Sequence, residues 1–149
     1  LIKDLKAAFQ PHGYLLTAAI GAAAPTIDTS YDVPLMYKYL DLVHVMCYDY
    51  HGKWDKKTGH NAPLHARSQD TGKDVYLNVE HTVNYLMKKV DNLSGYLLIV
   101  LKFIPKNGNK IIMYFVRFLG AIPEKTVLGV PFYGRAFKLE NPHDSRRGA

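Results

Sequence analysis

Apolar positions along the chain change their period several times, and each change marks an element. Leu1, Leu5, Ala8 and Phe9 recur at helical spacing over residues 1–10, and Pro11-His12-Gly13 supplies the stop signal. Residues 14–21 form an apolar run of strand length. Leu16, Ala18 and Ile20 fall on one face of it, and Leu15, Thr17, Ala19 and Gly21 on the other. The second set is mostly small, which either leaves room in a barrel mouth or permits close packing. Residues 26–30 read as a polar connector. Asp32 ahead of Pro34 is an N-cap candidate with proline in the first turn, and predicts a short amphipathic helix over residues 35–40.

The next strand is the centre of the chain. Residues 43–47 are mostly β-branched or apolar, as in a strand buried on both faces. Alternation places His44, Met46 and Tyr48 on one face, with Asp49 just past the strand's end. Tyr50, His51 and Trp54, the only tryptophan, then crowd into a turn containing Gly52. A carboxylate, a phenol and a thioether at the end of a buried strand suit an active site on a parallel barrel. An ordinary strand followed by a solvated loop fits the same composition. Residues 55–73 carry no helix or strand pattern, and loops of that length are usually functional or disordered. Asn78 caps a helix to residue 89, with Val79, Val83, Leu86 and Met87 on one face. Helix, strand, helix, strand in this order predicts an α/β chain of parallel β/α units.

Residues 90–119 depart from this rhythm. Two apolar runs, 96–101 and 111–116, flank Pro105-Lys-Asn-Gly-Asn109. Read alone, they form a β-hairpin around Asn107-Gly108. Each run is far shorter than the roughly 20 residues a membrane-spanning helix needs. Residues 126–137 form the last strand, with Gly129, Pro131, Tyr133 and Arg135 on one face and Leu128, Val130 and Phe132 on the other. Pro131 belongs near that strand's end or at a bulge, because it cannot donate to a ladder.

The net charge of +6 raises the question of nucleic acid. The basic residues are scattered, however, apart from Lys56-Lys57, Lys88-Lys89 and Arg146-Arg147, and none forms a basic block. Lys102, Lys106, Lys110 and Arg117 against Asp91 put a net +3 of that charge inside the anomalous segment. No nucleic-acid, membrane or metal partner is expected. The single Cys47 cannot form an intrachain disulfide or a cysteine zinc site, and the seven histidines never fall in a metal-ligand spacing.

Met46-Cys47-Tyr48-Asp49, then His51-Gly-Lys-Trp54 and Thr58-Gly-His-Asn-Ala-Pro63, resemble the sixth-strand motif of family 18 glycoside hydrolases, most closely arthropod chitinases. Gly129-Val-Pro-Phe-Tyr-Gly-Arg-Ala-Phe137 resembles the seventh-strand motif. The resemblance implies a partial (β/α)8 barrel of about three β/α units. Residues 1–89 would hold strands five and six, and residues 120–149 strand seven and the start of the following subdomain. A complete barrel needs roughly 250 residues, so 149 are expected to be a piece cut from a longer protein. Joining Lys89 to Gly120 restores the family pattern without a gap. Residues 90–119, rich in amino acids favoured by AT-rich codons, are therefore an atypical insertion, either a translated intron or a genuine hairpin inserted on the barrel's rim.

The family hydrolyses β-1,4 N-acetylglucosamine links with retention, the substrate's own acetamido oxygen replacing a protein nucleophile. By resemblance, Tyr48 and Asp49 stabilise the acetamido group as it becomes an oxazolinium ion. Met46 packs under the sugar, Tyr133 and Arg135 hydrogen-bond it, and Trp54 reads as structure or groove wall rather than a stacking platform. The family's proton donor ends an Asp-x-x-Asp-x-Asp-x-Glu motif on the fourth strand, and nothing in these residues matches it. The expected partner is chitin or chito-oligosaccharide, without metal or organic cofactor, in a monomeric, secreted parent. The chain alone is expected to be inactive and not stably folded. A chitinase-like lectin with the acid replaced, and a small independent α/β binding module, are the alternatives. Asn92-Leu93-Ser94 is a formal glycosylation sequon inside the anomalous segment.

Overall fold

The computed structural model describes residues 1–91 and 123–146. The hairpin, the sequon and nearly all of the anomalous segment lie outside them. The elements run α1 (Ile2–Phe9), β1 (Thr17–Gly21), α2 (Ala24–Ser30), α3 (Val33–Tyr39), β2 (Leu42–Met46), α4 (Val79–Asp91) and β3 (Thr126–Leu128), with short 3-10 turns between some of them. The three strands form one parallel sheet in the order β1-β2-β3. This is the expected α/β arrangement, with β2 at its centre.

Burial divides the sheet into two unlike faces. Ile20 of β1, Val43 and Val45 of β2, and Cys47 just beyond it are buried in one cluster. Ile27, Val33, Met36, Tyr37 and Leu40 join from α2 and α3, and Leu86 and Met87 from α4. Each large aliphatic side chain taken fully out of water contributes about 1.5–3 kcal/mol before entropy is counted. On the other face Thr17 and Ala19 are exposed, and Leu42, His44 and Met46 are only partly covered. The expectation that β2 is buried on both faces is therefore corrected. Helices cover one face, and no described element covers the other.

Local chemistry explains most element boundaries. The Asp32 carboxylate accepts the Leu35 N–H at 3.0 Å and caps α3, and Asn78 Oδ1 accepts the His81 N–H at 2.8 Å and caps α4. Gly13 closes the α1 region with φ 68°, a left-handed conformation suited to glycine. Residues 26–30, expected as a connector, belong to α2. Pro25 occupies its first turn, and the fully buried Ile27 anchors it. The α1 face also differs from expectation: Leu1, Leu5 and Ala8 face solvent, while Ile2, Lys6 and Phe9 turn inward. An ion pair decides this. Lys6 Nζ lies 2.6 and 2.7 Å from the Asp41 oxygens, and Asp41 also accepts the Leu16 N–H at 2.8 Å.

The last strand is shorter than its sequence suggests. β3 ends at Leu128, although the Gly129 N–H still donates to the Val45 carbonyl at 2.8 Å. Pro131 lies beyond the ladder, where its missing donor costs nothing. Lys125 ties the start of β3 to α3 by donating to the carbonyls of Tyr37 and Leu40 at 3.0 and 2.9 Å.

Candidate functional site

The carboxyl ends of β1 and β2 open on a cleft of about 410 Å³ bordered by Gly21, Ala22, Met46, Tyr48, Asp49 and Trp54. Strand alternation explains why these residues meet. Met46 and Tyr48 leave the sheet on its uncovered face, and Asp49 follows after the last ladder residue. Asp49 is the one described non-glycine residue with positive φ, at 60°. That conformation is sparsely populated outside glycine and tolerated best by Asp and Asn. It turns the carboxylate towards the segment after β3.

Tyr133 and Arg135 meet it there. The Tyr133 hydroxyl donates to Asp49 Oδ1 at 2.6 Å. Arg135 Nε donates to the same oxygen at 2.8 Å, and its terminal nitrogen lies 2.6 Å from Oδ2. This two-pronged contact is the guanidinium–carboxylate geometry that combines charge with orientation. Arg135 first, and Tyr133 second, hold the Asp49 carboxyl below the usual carboxylate range. Asp49 is therefore an anion at neutral pH. The same contacts raise Tyr133 and Arg135 above their ordinary values.

Aromatic groups frame this charge pair. The Tyr48 and Tyr133 rings meet edge to face at 6.0 Å. The Arg135 guanidinium lies 5.3 Å from the Trp54 ring centre and 5.2 Å from that of Tyr133, within cation–π range. Trp54 is 54% exposed and stands at the edge of the cleft, with Arg135 beside its ring. Residues 55–73 extend the opening into a broader groove of about 750 Å³, which Trp54, Lys56, Lys57 and Lys73 border. All six residues singled out in the sequence thus lie in one continuous neighbourhood.

Two groups support the site in roles the sequence did not announce, although Asn61 lies within the Thr58–Pro63 motif. Asn61 Oδ1 accepts the Asp49 N–H at 2.8 Å, and Asn61 Nδ2 donates to the Tyr133 carbonyl at 3.0 Å. Thr82 is 1% exposed. Its hydroxyl donates to the Ala22 carbonyl at 2.8 Å and lies 2.7 Å from the Tyr50 hydroxyl. Close approach rather than conformation accounts for Gly129 and Gly59, as it does for Gly52 against the Trp54 ring. A Cβ at Gly129 would sit 3.0 Å from both Tyr48 Cε1 and the Val45 carbonyl, and one at Gly59 would meet the His51 ring at 2.4 Å. Among the described residues no group of three His, Cys, Asp or Glu could hold a metal. Nor is any described helix long and apolar enough to cross a membrane.

A polar site at the carboxyl ends of parallel strands is where α/β barrel enzymes hold their substrates. Residues 1–148 match the sequence model of glycosyl hydrolases family 18, and the chain belongs to that family. It is 42% identical over 138 residues to probable chitinase 2 of Drosophila melanogaster, covering 93% of this chain and 21% of that protein. The second catalytic domain of the Ostrinia furnacalis Group II chitinase superposes with a TM-score of 0.73 at 36% identity. That match covers 99% of this chain and 30% of the other. Human YKL-39, a pseudo-chitinase with retained chitooligosaccharide-binding properties, superposes with a TM-score of 0.74 at 32% identity, covering 99% of this chain and 35% of that one. The chain therefore spans between a fifth and about a third of the length of these proteins.

Proposed function

We propose that these residues are three β/α units of a chitinase barrel, strands five to seven of eight. The parent, a secreted monomer, hydrolyses β-1,4 N-acetylglucosamine links. The observation that carries this reading is the Asp49 carboxylate, anionic and held by Tyr133 and Arg135 at the mouth of the cleft. In substrate-assisted hydrolysis the acetamido oxygen attacks the anomeric carbon as the leaving oxygen takes a proton, forming an oxazolinium ion. A fixed anion beside the acetamido N–H orients that group and stabilises the positive charge as it develops. The Tyr48 ring and hydroxyl border the same space. Met46 provides an apolar floor, Tyr133 and Arg135 hydrogen-bond the sugars, and Trp54 walls the groove.

No Asp-x-x-Asp-x-Asp-x-Glu sequence occurs among the 149 residues. General acid catalysis contributes typically about 10²–10⁴-fold, so these residues by themselves do not cleave chitin. In the full-length protein, Asp49→Asn is expected to lower kcat on an aryl chito-oligosaccharide by about 10²–10³-fold, the usual effect of losing one preorganised electrostatic contact. Asparagine tolerates the same positive φ, so the fold is kept. Unchanged turnover in a folded Asp49→Asn protein would defeat the reading.

The likeness to human YKL-39 favours one alternative, a chitin-binding lectin without hydrolysis. Sequencing the mature message through the codons upstream of Leu1 separates the two. A glutamate at the end of the fourth-strand motif supports the enzyme, and its replacement supports the lectin. The same message, read across codons 90–119, tests whether that segment is an intron.

A further inference from the structure

Tyr133 and Arg135 approach Asp49 from a segment that has already left the sheet. β3 ends at Leu128, and only the Gly129 N–H continues its ladder. The sheet therefore does not fix where residues 133 and 135 stand relative to residue 49. One side chain joins the two segments directly. Asn61 receives the Asp49 N–H on Oδ1 at 2.8 Å and gives a hydrogen from Nδ2 to the Tyr133 carbonyl at 3.0 Å. Its own carbonyl accepts the Tyr50 N–H at 3.1 Å, which holds the loop carrying Asn61 against the end of β2.

The chemistry of these partners selects the residue. An N–H requires an acceptor and a carbonyl requires a donor, so only one orientation of the amide satisfies both. Aspartate could accept from residue 49 but would repel the Tyr133 carbonyl, and an apolar side chain could do neither. The bond to the Asp49 N–H also falls on the residue with φ 60°, where a non-glycine backbone needs support from its surroundings.

We propose that Asn61 is a positioning residue of the Asp49 site: its amide couples the backbones of Asp49 and Tyr133, and so sets how Tyr133 and Arg135 grip the carboxylate. This rests on the chitinase reading for its consequence in turnover, but its structural content does not depend on turnover. Asn61 makes its hydrogen bonds to Asp49 and Tyr133 through their backbones and also lies against the Tyr133 hydroxyl. It acts through the two residues it joins.

The test uses the full-length protein with aspartate carboxyls labelled with carbon-13, the Asp49 signal assigned by its loss in Asp49→Asn. In the wild type, Asp49 titrates below the usual carboxylate range because of Arg135 and Tyr133. In Asn61→Ala its midpoint is expected to move up towards the ordinary range. In parallel, kcat falls about tenfold or more while KM stays within about twofold, as for a contact realised in the transition state. Asn61→Leu, which keeps the branched shape of asparagine and removes its polar atoms, carries the same test if the alanine variant does not fold. An Asp49 midpoint unchanged in a folded variant that has merely lost thermal stability would overturn the proposal, since that is the signature of a loop anchor alone. A wild-type parent that binds chito-oligosaccharide without cleaving it would defeat the hydrolase reading and leave the titration result standing.

Discussion

Replacing Thr82 by valine removes a hydroxyl that serves two buried partners at once. Thr82 Oγ1 gives its hydrogen to the Ala22 carbonyl at 2.8 Å, so in the 2.7 Å contact with Tyr50 the phenol is the donor. Burial pushes the Tyr50 phenol up, which keeps it protonated for that role. Valine preserves the shape and leaves both the Ala22 carbonyl and the Tyr50 hydroxyl without this partner. The stranded Ala22 carbonyl costs about 1–3 kcal/mol and the lost Tyr50–Thr82 bond about 0.5–1.5, since the Tyr50 hydroxyl keeps the Cys47 thiol as a partner, giving roughly 1.5–4.5 kcal/mol for Thr82→Val. Tyr50→Phe is milder. It deletes the donor together with its bond and leaves Thr82 still bonded to Ala22, for about 0.5–1.5 kcal/mol. In the double variant only the Ala22 carbonyl is stranded. Both changes remove the same Tyr50–Thr82 bond, so they should be less than additive by about 0.5–1.5 kcal/mol, as expected of residues sharing one network. Urea unfolding of the full-length protein reads these values as shifts of the midpoint at constant slope. Strict additivity, or a Thr82→Val cost no greater than that of Tyr50→Phe, would refute the assigned direction of the hydrogen bonds.

Three further outcomes follow from single contacts. Gly129→Ala drives a methyl group into Tyr48 and the Val45 carbonyl, both 3.0 Å from the added carbon. It should cost about 1–3 kcal/mol in urea unfolding and weaken chito-oligosaccharide binding by displacing Tyr48, whereas wild-type stability and affinity together would contradict it. Lys6, and then the Leu16 N–H, lower the Asp41 carboxyl below its ordinary value of 3.8. The docking of α1 is therefore fully supported above that value and lost as pH falls through the lower folded-state value. Amide exchange at Leu16 should accelerate in that acid window, and Asp41→Ala should show the acid rate already at neutral pH. Finally, the 149 residues expressed alone should show no cooperative thermal transition, because among the described residues β1 and β3 each pair on one side only. A sharp transition would instead favour an independent binding module.

Legibility in the sequence followed the range of the forces involved. The caps at Asp32 and Asn78 and the stop at Gly13 are local, and each lies where the chain pattern places it. The alternation of β2 correctly separated Val43, Val45 and Cys47 from His44, Met46 and Tyr48. The α1 face was misread because the determinant is Lys6 meeting Asp41, a pairing across 35 positions that no helical period reveals. α2 was missed because Ala24–Ser30 is short and carries one strongly buried residue, Ile27. The length of β3 was overstated because alternation continues to Phe137 although hydrogen bonding stops near Gly129. In the site, charged and aromatic groups announce themselves by type. Asn61 and Thr82 act through amide and hydroxyl contacts that depend on where distant backbone lies, and their residue types alone are common.

The two faces of the sheet give the chain a division of labour that mutation can read. β2 contributes Val43 and Val45 to the helix-covered core, and between them His44, then Met46 and Tyr48, to the uncovered face. A one-residue slip in the pairing of β2 with β1 would exchange these sets. It would carry valine into the cleft and bury a histidine and a thioether among Ile20, Ile27 and Leu86. Register is thus held by the apolar alternation, and the site inherits its geometry from that register, Ile20 opposite Val45 and Gly21 opposite Met46. Core substitutions such as Val45→Ala should therefore act on stability first, by about 1–3 kcal/mol, and on ligand binding only as β2 loosens. Changes at Met46 or Tyr48 should act on binding with little change in stability. Asp49 sits where this division ends, past the ladder and beyond the reach of register, and for that reason its position depends on side chains from the loop and from the segment after β3.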